Sequence, residues 1–479
     1  MTLAFGWVPA GADDLTQFDV KRAPWPCFRG PYGNGSAPKL GLKLVDDLAN
    51  AKLVWESEEK LPPGTPWPGP WRKRPTAWKG GNIKKAPWQQ RAWSGGYCPP
   101  IVAEDKVFVG CWRVAGRKDW SWLDEKDRQK SRKGQTADDL LYCFDAATGK
   151  QLWCAVQAGK GQSLPGYGKD AWMIIAWWDG AVFVPGTGKQ LYAVDATNGK
   201  LLWQAPIPYR TKPGKGWSAL TAAAAVSGGV VVCGEDSLGA WDCATGEDLW
   251  QGVGKRPYCV PVPWQHGAKA YFIVSGKLIE ARTGKVCWEI PDPSESSTGD
   301  SVHGEYLVMS NRDWESTEHP MRGMSCFRIS PEKYEELWHE AWHVKTRHCA
   351  RITTTVIFDN RVVGRTRDGK TWGDCGMCSL DLATGRRCGE PVKGVPLGYG
   401  PLVAEGRVIG NHEEAVGYGG IDATGALRKL MNAGDNGWTI AQCTDAAYAN
   451  GFLYFRRTKS DGHARMVCYD LRKSAQNDD

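Results

Sequence analysis

His348, Arg351, Tyr399 and His412 are residues of types that can together break a bond beside a carboxylate. An arginine neutralises the carboxylate of a uronate ring and lowers the pKa of its C5 proton. A histidine or tyrosine removes that proton, and a second one protonates the leaving oxygen; the sum is β-elimination. His348 and His412 also suit a different chemistry with His463, because three imidazoles bind a divalent manganese, zinc or iron, with Gln442 or Glu413 as a further donor. Tyr97, Trp112, Arg113, Trp172, Trp217, Tyr258, Arg312, Arg365, Arg456 and Arg457 would hold such a substrate, aromatic planes against sugar faces and guanidinium groups against carboxylate or sulfate. These positions are scattered from residue 97 to residue 463, so only a particular fold can make one site of them.

That fold is written as a repeat. The phrase "YCFDAATGKQLWCAV" returns as "YAVDATNGKLLWQAP" and "GAWDCATGEDLWQGV", placing Gly four and Trp eight positions after an Asp: Asp145/Gly149/Trp153, Asp195/Gly199/Trp203 and Asp242/Gly246/Trp250. Weaker copies end on Trp288 and Trp338, and two more put Gly389 and Leu430 where the tryptophan belongs. Asp and Thr tighten a turn, Gly accepts positive φ, and the flanking residues alternate, so each phrase reads as a hairpin docked by its tryptophan. A second hairpin signal precedes each phrase, from "PIVAEDKVFVG" to "AAYANGFLYF", eight in all between Pro100 and Phe455. Four strands per unit at a period of roughly 40 to 50 residues predicts an all-β chain folded as an eight-bladed β-propeller, seven blades if one hairpin is misread. The last unit lacks its outer strand. Residues 51–58, "AKLVWESE", are expected to supply it, with Trp55 in the docking position.

The Asp-x-x-x-Gly-Lys-x-x-Trp phrase resembles the tryptophan-docking motif of pyrroloquinoline-quinone-type propellers, a family that includes quinoprotein dehydrogenases and the outer-membrane assembly lipoprotein. "WPCFRGPYGNG", residues 25–35, is similar to an N-terminal phrase of exported bacterial members. The resemblance implies a periplasmic or extracellular protein, although "MTLAFGWVPAGADDL" has neither the basic region nor the apolar run of a signal peptide. It also implies that inner strands begin, and second strands end, on one top face where ligands bind; the residues of the opening paragraph fall there, while His266 and His303 fall in the opposite turns. Quinone-binding members resemble one another in an adjacent cysteine pair and a calcium site. No Cys-Cys dipeptide occurs in this chain, so the quinone is not expected.

Three regions follow: an extension over 1–94, the propeller over 95–474 and a tail over 475–479. Within the extension, residues 67–93 interleave five tryptophans with Arg72, Lys73, Arg74, Lys79, Lys84, Lys85 and Arg91. They read either as a platform for an acidic polysaccharide or as a wrap packed on the propeller wall. No nucleic-acid module accompanies them, and no apolar run reaches the roughly 20 residues of a membrane-spanning helix. The formal charge of +7 leans toward acidic partners. Cys143 and Cys154 flank one turn symmetrically and are either a cross-hairpin disulfide or small buried hydrophobes; Cys375 and Cys378 pose the same choice, with a zinc half-site as a third reading. Glu413 and Glu414 are adjacent and point apart on a strand, unlike the paired carboxylates of a glycoside hydrolase.

The expectation is therefore a monomeric, exported propeller lyase acting on an acidic polysaccharide. The rival is a non-catalytic scaffold or carbohydrate-binding propeller of the assembly-lipoprotein type.

Overall fold

The computed structural model describes residues 18–61, 98–116, 135–163, 173–208, 222–235, 237–254, 259–291, 300–312, 323–341, 355–365, 376–393, 401–412, 415–432, 446–458 and 464–473. Eight four-stranded antiparallel sheets follow one another, seven of them with their strands in chain order from inner to outer. Blade one comprises residues 101–163, blade two 176–206, blade three 225–254, blade four 262–289, blade five 301–341, blade six 356–393 and blade seven 402–432. Blade eight takes three strands from 447–470 and its outer strand from Lys52–Glu56, in register Lys52↔Asp470 and Trp55↔Cys468. The two ends of the ring are thus hydrogen-bonded together as the sequence predicts.

Each repeated phrase builds its own joint. Asp145 Oδ1 accepts the backbone N–H groups of Ala147 (3.1 Å) and Thr148 (2.8 Å) and the Thr148 hydroxyl (2.7 Å), and that hydroxyl holds the carboxyl below its ordinary pKa. Gly149 follows at φ +72°. Its missing side chain is doubly required, because a Cβ there would stand 2.4 Å from the ring of Trp55, whose Nε1 donates to Ala146 O (2.9 Å). The arrangement recurs one blade on: Trp203 Nε1 donates to Cys243 O (3.0 Å) over Gly246, Trp250 to Ala281 O (2.7 Å) over Gly284, and Trp338 to Leu382 O (2.8 Å) over Gly385. Every such tryptophan clamps the next blade. Where Gly389 replaces it, the outer strand of blade six shrinks to Val392–Lys393.

Residues 18–45 are built into the ring. Trp25 pairs with Val102 of blade one, Cys27 with Ala176 of blade two and Ser36 with Val403 of blade seven. From the middle of the segment, Arg29 donates to Asp300 O (3.1 Å), to Ser301 Oγ (3.1 Å) and to Thr355 O, which belong to the inner edges of blades five and six. A segment that touches inner strands on opposite sides of the ring must lie across the axis. This strap fills the channel, and residues 23–37 are buried throughout. Its ends are fastened to acidic turns of the bottom face, Arg22 to Glu104 and Asp179, Lys39 to Asp359.

Thirteen described cysteines are free thiols. A bulge between Cys143 and Phe144 sets Cys143 opposite Trp153 and Tyr142 opposite Cys154, so the two cysteines never face each other across the hairpin. Cys378 is buried and free, while Cys375 lies outside the described residues.

Candidate functional site

The top face is where second strands end and third strands begin. At or next to that end of their second strands stand Arg113 in blade one, Arg312 in blade five, Arg365 in blade six, His412 in blade seven and Arg457 in blade eight, whereas blades two, three and four end in Pro185, Gly234 and Val274. The result is an arc of basic positions over five consecutive blades. His266 and His303 end inner strands on the opposite face, as expected from their turns. Tyr97, Trp172, Trp217, Tyr258, His348, Arg351, Tyr399 and His463 lie outside the described residues, as does the segment 67–93. The proposed elimination set and metal set are therefore represented by the backbone of His412.

Side-chain geometry is defined where blades eight and one meet. Arg113 Nε donates to Asp138 Oδ2 at 2.8 Å, and Asp138 Oδ1 accepts Gly159 N at 2.8 Å. The Arg113 guanidinium is thereby held at a fixed angle with about a fifth of its side chain exposed. Arg457 Nη1 donates to Tyr469 Oη at 3.2 Å. Two residues expected on the open mouth are instead inside the seams. Arg456 is fully buried and donates to Cys111 Sγ at 3.4 Å, and Trp112 is 2% exposed. The physical reason is alternation: along Cys111–Trp112–Arg113 successive side chains point to opposite sheet faces, both of which are covered by neighbouring blades. Burial pushes the Cys98 thiol up to about 12 and raises that of Cys111, against the pull of Arg456.

Two acidic residues escaped the sequence reading. In "QTADDLLYCFD" Asp138 and Asp139 sit side by side on an otherwise apolar third strand, pair with Arg113 and Trp112 respectively, and point to opposite faces. Asp138 turns toward the mouth arginine. Asp139 turns into the seam with blade two, where its Oδ1 accepts the Thr187 hydroxyl (2.6 Å) and amide (3.1 Å), and burial pushes its pKa up to about 6. A double acid inside a buried strand was the available signal, since such groups are placed there only with partners. Among the described residues no three His, Cys, Asp or Glu side chains come together as a metal site.

The family described as outer membrane protein assembly factor BamB, one of the pyrroloquinoline-quinone-like repeat families, matches residues 80–288. The repeat, its docking tryptophans and the eight-sheet ring agree with that match. The chain is an all-β, eight-bladed propeller whose residues 80–288 resemble that repeat family. Solved structures similar to this propeller include BamB from Moraxella catarrhalis, at 12% identity over 70% of this chain and 89% of that one with a TM-score of 0.45. A europium-containing methanol dehydrogenase is 11% identical over 92% and 90% of the two chains, with a TM-score of 0.46. The computationally designed Ika8 protein is 13% identical over 79% and 97%, with a TM-score of 0.47. No curated protein matches the chain. No described helix is long and apolar enough to cross a membrane.

Proposed function

We propose that this propeller is an exported binding scaffold whose top face receives an acidic polysaccharide, and that it acts as a monomer. The observation that carries the reading is the basic arc. Five consecutive blades carry Arg or His at the last or next-to-last position of the second strand on one face, and at least one of these groups, Arg113, is braced by a carboxylate. Guanidinium groups spaced along an arc suit a polymer with carboxylates or sulfates at intervals. β-Elimination by His348, Arg351, Tyr399 and His412 is the catalytic form of the same proposal, with the divalent metal held by His348, His412 and His463 as its metal-dependent variant; the reading needs no quinone.

Retention on immobilised uronate-bearing and sulfated polysaccharides tests the scaffold, with the salt dependence that screened charge contacts require. The triple substitution Arg312→Ala, Arg365→Ala and Arg457→Ala should abolish retention, and unchanged retention would overturn the placement of the ligand. Appearance of an unsaturated uronate chromophore on incubation, with and without chelator, separates cleavage from binding alone.

A further inference from the structure

Asp139 is 2% exposed at the seam between the first two blades, and no cation is bonded to it among the described residues. One carboxyl oxygen gathers the hydroxyl and amide of Thr187, and the amide of Gly188 also points at the group. The other oxygen has no hydrogen-bond partner; nor has the buried Tyr192 hydroxyl, nor the indole N–H of Trp112, which stands opposite Asp139 in strand register. Space around the carboxyl is closed by glycines. A Cβ on Gly186 would meet Asp139 Oδ2 at 2.6 Å and the Tyr192 ring at 2.5 Å, and one on Gly161 would meet the Thr187 hydroxyl at 2.3 Å. The titratable groups facing Asp139 are Asp138 from its own strand and Tyr192 from blade two, and an ionised Asp138 opposes a second negative charge beside it.

We propose that Asp139 is a proton-operated clasp: protonated, it locks the 186–189 turn of blade two against blade one; ionised, it favours opening of that seam. The physical basis is that a carboxylate in a dry seam with hydrogen-bond donors but no cation is less stable than one in water, so the ionised form gains by reaching solvent. The sign follows. In the closed seam the group titrates at about 6 and in an opened, hydrated seam near the ordinary carboxylate value. Closed holds its proton more tightly than open, so opening becomes easier as pH rises between those values and levels off above the upper one. A separation of about two pKa units corresponds to about a hundredfold rise in the opening equilibrium.

The test is hydrogen exchange of the Thr187 and Gly188 amides from pH 4 to pH 8, corrected for intrinsic rates, in the intact chain. The result expected is protection that falls by up to a hundredfold and then levels off, with the inflection near pH 6, beside a flat profile in Asp139→Asn. A flat wild-type profile, or an inflection at the ordinary carboxylate value, would overturn the clasp; so would an Asn variant that keeps the slope. Should Asp139→Asn fail to fold, the carboxyl stretch of Asp139 followed by infrared titration of the wild-type chain gives the same decision.

Discussion

Trp55→Ala should cost more than any other docking tryptophan, although its local contacts are ordinary. Trp55 is 7% exposed, donates to Ala146 O at 2.9 Å and covers Gly149, while Trp203 donates to Cys243 O at 3.0 Å and covers Gly246 in the same way. Truncating a buried tryptophan costs about 3 to 5 kcal/mol through lost burial and the cavity left behind. That sum is common to both sites. Trp55 differs in what it anchors: the five-residue strand Lys52–Glu56 completes blade eight from the other end of the chain, held by pairing to 467–470 on one side and by this indole against blade one on the other, with single bridges Leu44–Arg472 and Leu61–Ala464 beside it. When the indole goes, the short strand can leave, and the ring opens between blades eight and one. Trp203 sits between blades two and three, which stay covalently joined whatever its state. The assay is denaturant unfolding of both variants, with hydrogen exchange of residues 52–56 and 464–470. The expected result is a loss of about 3 to 5 kcal/mol for Trp203→Ala, a larger loss for Trp55→Ala, and deprotection of 52–56 in the latter alone. Equal losses with equal protection of that strand would refute the closure argument.

Gly246→Ala should destabilise by about 2 to 4 kcal/mol, since a Cβ must be carried at φ +73° and would stand 2.7 Å from the Trp203 ring; thermal unfolding beside Gly254→Ala, where nothing lies within 4 Å, measures it. Arg29→Met should cost about 3 to 5 kcal/mol, because Asp300 O and Thr355 O lose a charged donor while buried; a stabilised or unchanged protein in denaturant unfolding would show that the strap is held by its apolar residues alone. His303 packs edge-on against Tyr32 of the strap, at 6.0 Å between centroids, and burial holds its pKa below the ordinary value. A base whose folded pKa is depressed binds fewer protons folded than unfolded, so its contribution is intact above about pH 6.5 and is lost as pH falls toward the folded value. The stability difference between the wild type and His303→Asn should therefore be largest at pH 8 and shrink as the pH falls to 5, read from unfolding free energies of both across that range.

Blade count, strand order and closure were legible because each rests on local physics that repeats. The Asp, Thr and Gly of one turn need only one another, and the eight hairpins announce themselves through positive-φ turns such as Asp105, Asp179 and Asn450. The partner of each tryptophan was less accessible, since the indole of one phrase lies over the glycine of the next, some 40 to 50 residues along. The strap could be recognised as a phrase but not placed: its contacts reach from Trp25 to Val102 and from Arg29 to Thr355, separations with no sequence period behind them. Trp112 and Arg456 show the same limit at the site. Residue type suggested binding, but strand parity decided exposure, and parity at the end of a strand depends on where the pairing begins.

A repeat fold makes eight similar joints, so function must come from the places where similarity breaks. Three breaks in this propeller fall in one region. Among the described strands, blade one alone has an outer strand of 13 residues, Gln151–Ser163, and a third strand of 11, Gln135–Asp145. Those added lengths carry Asp138 and Asp139 beyond the ordinary joint, one bracing Arg113 and the other gripping Thr187. The neighbouring blade eight is completed by a strand from the other end of the chain, and its Arg457 continues the basic arc. The best-braced part of the top face therefore stands beside the ring's closure, where an opening motion is easiest. Ligand bridging Arg113 and Arg457 would span that closure and add to the ring's stability, so a polymer that binds there should raise the unfolding temperature of the wild type and restore part of what Trp55→Ala loses. A polymer that binds without either effect would place its site on blades five to seven instead.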